Sequence, residues 1–471
     1  MIRKHALFCI FVTFLAVSTN AQRTAVYTEA NANFKKGLEF FDLGVYGLAQ
    51  AEFQKVLERL QPVNEPEYRT IKTKAELYYA RSAVRLDQPD AQKLMLDFAR
   101  RHRPDPAANE ALLELADYYF NGKKYDEAIE FYTKMDQRGF SEEQRNEITF
   151  RHGYCLFMRK RYDEAAAKFG KLMQKEGPYY YSGHYYYGMA NFYGEDYDEA
   201  IKAWKVAEKS PTYRRDIPYY VSQIYAAEKQ YDELIAYAVP LLDNGGRLKN
   251  DAEISQLVGQ AYFEKGDYEK ALPYLEYYES NSRRLREEDF YQLGFVQYQN
   301  KKFKEAIESF KQLDKTDSEL GQSAMYYLAD CYLKTGDLTS ARNAFQIVSR
   351  SNYDAVLQED ALFQFAKLSV ELHFDRDAIV TLRRFLPSSK YYTEAQELLS
   401  ETLVNTKDYK GAIRIIESLD NQTPRIKEAY QKVTYYQGIQ DYVSKDLGSA
   451  LEYFTKSLAV PINPRIKALS T

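Results

Sequence analysis

Tryptophan occurs once in this chain, at Trp204, and histidine five times, at His5, His102, His152, His184 and His373. The histidines stand far apart, with no H-E-x-x-H or comparable ligand spacing, which excludes the familiar helical zinc sites. No G-x-S-x-G elbow, Walker loop or glycine-rich dinucleotide turn occurs either. The segment Gly194-Glu195-Asp196-Tyr197-Asp198 is acidic but lacks the alternation of a twelve-residue calcium loop. Cysteine is scarce: Cys9, Cys155 and Cys331. Cys155 and Cys331 are too far apart in sequence for a bridge within a stacked array and are expected to be small core residues. An excess of basic charge is also missing. The net charge is −4, which gives no support for broad nucleic-acid binding. Arg100-Arg101-His102-Arg103 and Arg283-Arg284-Leu285-Arg286 are local basic patches, expected as solvated helix ends. No catalytic residue, metal or cofactor is assigned, and the chain is expected not to be an enzyme.

Long apolar runs are absent with one exception. Met1 to His5 is basic, Ala6 to Val17 is uncharged and apolar, and Ser18-Thr19-Asn20-Ala21 is small or polar. This is the layout of a secretory signal peptide over 1–21, cleaved after Ala21. The apolar run is too short to span a bilayer comfortably, which needs about 20 residues. An uncleaved N-terminal anchor is the alternative. Cys9 is not placed for lipid attachment, because Phe8 precedes it where a small residue is needed. No later transmembrane segment is expected.

What the chain has in abundance is Tyr, 44 residues, and Phe, 26 residues. Many fall in one recurring pattern: an aromatic, an acidic residue, any residue, Ala, an apolar residue, and an aromatic four after the Ala. Tyr125-Asp126-Glu127-Ala128-Ile129 with Tyr132 is one copy, and Tyr197-Asp198-Glu199-Ala200-Ile201 with Trp204 is another. Registered on the alanine, the slots are Ala49, Ala91, Ala128, Ala165, Ala200, Leu234, Ala271, Ala306, Ala341, Ala378, Ala412 and Ala450, at steps of 34 to 42 residues. Twelve residues before each slot the side chain is again small, as at Gly37, Ala116, Gly153, Gly188, Gly259, Gly294 and Gly438, with Tyr79 the exception. Antiparallel helices approach closely where side chains leave room. Each period therefore predicts a helical hairpin, with the small residues at the helix–helix contact. Turn chemistry lies between the two positions, at Asn121-Gly122, Gly194-Glu195-Asp196, Lys265-Gly266-Asp267 and Thr335-Gly336-Asp337. Prolines and Gly245-Gly246 separate the periods. Pro240 and Pro273 fall inside predicted second helices, where they are expected to kink them. The period ending at Asp375-Arg376-Asp377-Ala378 reads as shifted by one residue.

These features resemble the tetratricopeptide repeat (TPR) family, most clearly at Phe290, Leu293, Gly294, Ala306 and Phe310 and at Val258, Gly259, Tyr262 and Ala271. The resemblance covers residues 30 to 460. It implies an all-α solenoid, a right-handed superhelix of about twelve helix–turn–helix units over 22–460, with 461–471 the start of an incomplete further repeat. Pro464-Arg465-Ile466-Lys467 echoes the run Pro424-Arg425-Ile426-Lys427 that opens the last full unit, so the chain reads as a fragment or truncated relative of a longer array.

The resemblance also implies a concave groove lined by first helices. Fifteen, eleven and eight residues before the slot lie on one helix face. There stand Phe150, Tyr154 and Phe157 in the fourth unit, Tyr185, Met189 and Phe192 in the fifth, and Tyr291, Phe295 and Tyr298 in the eighth. The twelfth has Tyr435, Ile439 and Tyr442, and the first Phe34, Leu38 and Phe41. These side chains are expected either to pack between units or to offer a partner-binding groove, a use that suits tyrosine. The segment Asn20-Ala21-Gln22 and the Tyr-rich repeats resemble the large exported tetratricopeptide proteins of Bacteroidetes-type bacteria. That resemblance implies a periplasmic scaffold for protein–protein interactions in an envelope complex serving assembly, division, secretion or motility. Its partners would be other proteins or peptides, not nucleic acid. The alternative is a soluble receptor for an extended peptide or glycan held in an aromatic-lined groove.

Overall fold

The computed structural model describes residues 26–61, 66–243, 248–313, 317–420 and 423–471. The expected leader over 1–21, Pro62 and Gly245-Gly246 lie outside the described residues. Within them there is no strand. Helices alternate with short turns, and consecutive helices pair into twelve antiparallel hairpins, which stack on their sequence neighbours within each of two bodies. Within each body the stacked pairs make an all-helical solenoid.

Two compact bodies divide the chain, Met1–Ile217 and Pro218–Thr471. In the first body, hairpin one pairs helix 26–42 with Tyr46–Leu60, and hairpin two pairs Pro66–Arg85 with Ala91–Arg101. Hairpin three pairs Pro106–Asn121 with Tyr125–Lys134, hairpin four Glu142–Met158 with Tyr162–Leu172, and hairpin five Tyr180–Tyr193 with Tyr197–Ala207. In the second body, hairpin six pairs Ile217–Ala227 with Tyr231–Asp243, seven Asp251–Glu264 with Tyr268–Asn281, and eight Glu287–Gln299 with Phe303–Lys311. Hairpin nine pairs Glu319–Thr335 with Leu338–Val348, ten Ala355–Glu371 with Asp375–Leu382, eleven Tyr392–Asn405 with Tyr409–Glu417, and twelve Pro424–Val443 with Leu447–Ala459. A short helix, Pro464–Ser470, follows.

The small residues do what their spacing predicts, with one refinement. The slot alanines are buried, ten of them with Leu234 at 2% exposure or less and Ala91 at 7%. The small residue of the first helix faces not the slot itself but the large residue four beyond it. A Cβ on Gly37 would come within 2.6 Å of the Phe53 ring, one on Gly259 within 2.6 Å of Leu275, one on Gly438 within 2.7 Å of Phe454 and one on Gly153 within 2.9 Å of Phe169. Gly188 faces the Trp204 indole in the same way. Large side chains thus sink through the gap left by missing ones, which brings the two helices of a hairpin together.

Ten of the twelve hairpins turn through a residue with positive φ five before the slot, most of them not glycine; hairpin two uses Asp87, four before its slot, and hairpin eleven has no such residue. Lys123, Lys160, Glu195, Lys229, Lys301, His373 and Lys445 have φ between 57° and 66°, whereas Gly44, Gly266 and Gly336 fill the position in three hairpins. Asp196, Asp267, Asp337 and Asp446 follow directly, Asp408 holds the same position in hairpin eleven, and each caps the second helix, its carboxylate accepting the backbone N–H three residues on. A left-handed non-glycine residue costs roughly 1–2 kcal/mol, against a smaller entropic penalty for glycine. Lys123→Gly, Lys160→Gly and Lys301→Gly are each expected to raise stability by about 0.5–1 kcal/mol. The triple variant should approach the sum, because the sites are far apart in sequence and share no partner. Thermal unfolding by circular dichroism checks this, and an unchanged or lowered midpoint would contradict it.

One expectation needs correcting. His373 occupies the turn position and the second helix starts at Asp375, three before Ala378, as in the other hairpins. Hairpin ten therefore carries no shift; only its side chains depart from the pattern. The second helices of hairpins six and seven run on through Pro240 and Pro273.

Successive hairpins are also joined through main chain. Nineteen residues before the slot, the Gln322 amide donates to the Asp354 carbonyl at 3.0 Å and accepts from the Asp354 N–H at 2.7 Å. Gln431 makes the same pair with Asn463, at 3.1 and 2.6 Å. Asn109 at the equivalent position accepts from the Asp136 N–H at 3.0 Å. Asp354 and Asn463 each then cap the helix that follows them. The helix Pro464–Ser470 thus sits on hairpin twelve in the register of a first helix, with Ile466 and Ser470 buried.

Candidate protein-binding surface

In hairpins four, five and eight, the aromatic stripe of the first helix lies mostly half-buried between neighbours. A tyrosine fourteen residues before the next slot fills the hollow between the stripe's rings. Tyr186 lies 5.4 Å from Phe150, 5.6 Å from Tyr154 and 6.1 Å from Phe157, centroid to centroid. Tyr327 lies 5.1 Å from Phe295 and 5.2 Å from Tyr298, while the Tyr298 hydroxyl donates to Asp330 at 2.7 Å. Tyr291 packs on Phe310 at 6.2 Å. In the first body Tyr78 plays the same part for Phe34 and Phe41, at 6.2 and 5.2 Å, and Leu38 is partly buried against the same cluster. Burial pushes the Tyr186 and Tyr291 hydroxyls up to about 12. In hairpin five, Tyr185 stacks on Tyr213 at 4.3 Å, Met189 is buried, and Phe192 leans on Trp204 at 5.8 Å. These side chains do packing work while most stay partly exposed.

Hairpin twelve differs. Tyr435 is half-buried against Phe454, but Ile439 is 39% exposed and Tyr442 61% exposed, beside exposed Val443 and Leu447. No described residue fills the hollow that Tyr186 or Tyr327 fills elsewhere.

A more enclosed site lies on the first helices of hairpins two to four. A hollow of about 330 Å³ is lined by Arg81, Glu110, Leu113, Glu114, Asp117 and Phe140, among others. The Arg81 guanidinium rests on the Tyr78 ring at 5.1 Å and stands 3.7 Å from Glu110 and 3.8 Å from Glu114. Its Nε–H is buried, with the Glu114 carboxylate its ion-pair partner and no acceptor within hydrogen-bond distance among the described residues. Glu114 pairs with Arg85 at 2.5 Å. Asp117 accepts from the Tyr132 hydroxyl at 2.9 Å and pairs with Arg151 at 2.7 Å. The hollow therefore offers groups of both signs over an apolar floor. Sequence reasoning missed it by searching the groove positions only for triplets of large apolar residues; hairpin three has Leu113, Asp117 and Phe120 there.

Cys155 and Cys331 are buried and unpaired, and burial pushes both thiols up to about 12, as befits core residues. Among the described residues no cluster of three His, Cys, Asp or Glu is arranged to hold a metal ion, and no helix is long and apolar enough to cross a membrane.

With these arrangements in view, the comparisons with known proteins are consistent as to class. Residues 80–143 and 297–359 match profiles described as tetratricopeptide repeat, and residues 227–313 match the one described as anaphase-promoting complex, cyclosome, subunit 3. The chain carries tetratricopeptide repeats. Among particular proteins, it is similar to a TPR repeat-containing protein of Methanocaldococcus jannaschii, 22% identical over 276 residues, which is 58% of this chain and 43% of that protein. The chain thus matches less than half the length of that relative. Among solved structures it is similar to YrrB, described as a TPR protein with an unusual peptide-binding site, at 15% identity and a TM-score of 0.26, covering 39% of this chain and 90% of that one. It is also similar to the Cut9–Hcn1 hetero-tetramer of the APC/C, at 11% identity and a TM-score of 0.24, covering 94% of this chain and 96% of that one.

Proposed function

We propose that this chain is a non-catalytic scaffold that binds segments of other proteins along its first helices, in the envelope of a bacterium. The observation that carries the binding reading is the hollow at Arg81, where charged side chains of both signs from neighbouring hairpins converge over an apolar floor. A concave site with a few placed polar groups suits a segment of a partner. Export rests on the basic-then-apolar run of residues 1–21, and the envelope setting only on the resemblance that the sequence bears to exported tetratricopeptide proteins.

The test is co-purification of the tagged full-length protein from its native envelope. A stoichiometric protein partner is expected, with recovery lowered about tenfold by Arg81→Ala combined with Glu110→Lys, since charged contacts at an interface are worth that much or more. Recovery unchanged in the variant would remove the hollow from the account. The absence of any protein partner would remove the scaffold reading itself. A second reading, a receptor for an extended peptide or glycan, is favoured at hairpin twelve alone by the exposure of Ile439 and Tyr442.

A further inference from the structure

In the second body, a pocket of about 450 Å³ opens between the second helix of hairpin nine and both helices of hairpin ten. Its charged lining is one-sided. Arg350 stands just beyond the helix Leu338–Val348, Arg376 in the first turn of Asp375–Leu382, and Arg384 just beyond its end. All three are exposed at the pocket, and none has an acidic partner among the described residues. The carboxylate that lines the pocket, Asp377, is already engaged from behind. It pairs with Arg342, a buried residue whose Nε–H also donates to Ser369 at 2.9 Å and whose guanidinium lies 4.7 Å from the Phe365 ring and 4.1 Å from the Phe374 ring. Asp377 therefore cannot neutralise the three arginines. Leu362, Phe365 and Val380 supply an apolar wall, with Val380 60% exposed.

We propose that this pocket binds an acidic segment of a partner protein, one that brings at least two negative charges next to an apolar side chain. Three guanidinium groups around one small concavity repel one another until an anion joins them, and each presents a planar fork matched to carboxylate or phosphate oxygens. The volume lies in the range of pockets that take a few side chains, roughly 300–1,000 Å³. The negative groups could be clustered Asp and Glu or a phosphorylated side chain, which share this chemistry. The site is separate from the hollow at Arg81 and does not depend on it.

Fluorescence anisotropy with the full-length chain tests the proposal. The probes are a fluorescein-labelled peptide alternating Glu and Leu, its phosphotyrosine-containing counterpart, and a version with Gln for every Glu. At least one anionic peptide is expected to bind at least about tenfold more tightly than the Gln version, and the one that does identifies the source of the charge. Arg350→Ala/Arg376→Ala/Arg384→Ala should weaken that binding by about tenfold or more, whereas Arg69→Ala/Arg103→Ala, in a basic region of the first body, should leave it unchanged. Val380→Glu, at an exposed position that folding tolerates, should also weaken it and keeps the test readable if the triple variant unfolds. Failure of both anionic peptides to bind, or equal losses in the two arginine variants, would overturn the assignment.

Discussion

Trp204→Ala is expected to destabilise hairpin five by about 3–5 kcal/mol, the usual cost of emptying a large buried aromatic site. Trp204 is fully buried, donates its indole N–H to the Tyr185 carbonyl at 3.1 Å, and passes through the gap at Gly188. Its loss opens a cavity at the helix–helix contact and frees a carbonyl from its partner. In a stacked array the effect spreads mainly to adjacent hairpins. Hydrogen exchange should therefore rise over residues 180–207 and fall off with distance from them. A companion variant, Gly188→Val, leaves the indole in place but pushes it from its seat. Because Trp204 is the single tryptophan, its emission reports that displacement directly and should move to the red. Wild-type emission from Gly188→Val, or uniform exchange across the chain in Trp204→Ala, would contradict the packing described here.

The second large effect is acid sensitivity centred on His152. This imidazole is buried in hairpin four and stacked on Tyr132 at 5.7 Å. Burial holds its pKa down at about 4, helped by Lys168 and Arg161 and opposed by Glu164. In the unfolded chain the pKa returns to about 6.5. Between these values the unfolded state carries the extra proton, so stability rises with pH there. The contribution is whole above pH 6.5, is lost as pH falls towards 4, and levels off below that. The full loss amounts to roughly 3 kcal/mol, from about 1.4 kcal/mol per unit. His184 is shifted the same way by burial and should add to the slope. His152→Phe keeps a ring against Tyr132 and should flatten the pH dependence of unfolding in this hairpin. The difference between wild type and variant, measured by chemical denaturation from pH 7 to pH 4, isolates the imidazole from the carboxylates. An unchanged difference over that range would show that His152 does not carry the effect.

The hairpins were legible because their determinants recur within one period: a small residue, a turn, an alanine and a large side chain four further on. Two kinds of feature were not. The turn conformation was hidden because lysine, glutamate or histidine sits where glycine would be easiest; at Asn121-Gly122 the positive-φ residue proves to be Lys123, with Gly122 on the ordinary side at −77°. The fate of the aromatic stripe was hidden because Phe150, Tyr154 and Phe157 are covered by Tyr186, a residue of the next period, so no single period decides between packing and exposure. The arginine pocket in hairpins nine and ten shows a similar dependence. Arg376 next to Asp377 reads as a self-neutralised surface pair until Arg342, 35 residues earlier, is seen to hold that carboxylate.

The amide grip of Gln322 on Asp354, repeated by Gln431 on Asn463, takes hold of a peptide group and ignores whatever side chain that residue carries. A coupling of that sort fixes phase without demanding a particular mate. Such an array can gain, lose or exchange whole periods while the seam between them needs no redesign, leaving its outward chemistry free to diverge from one period to the next.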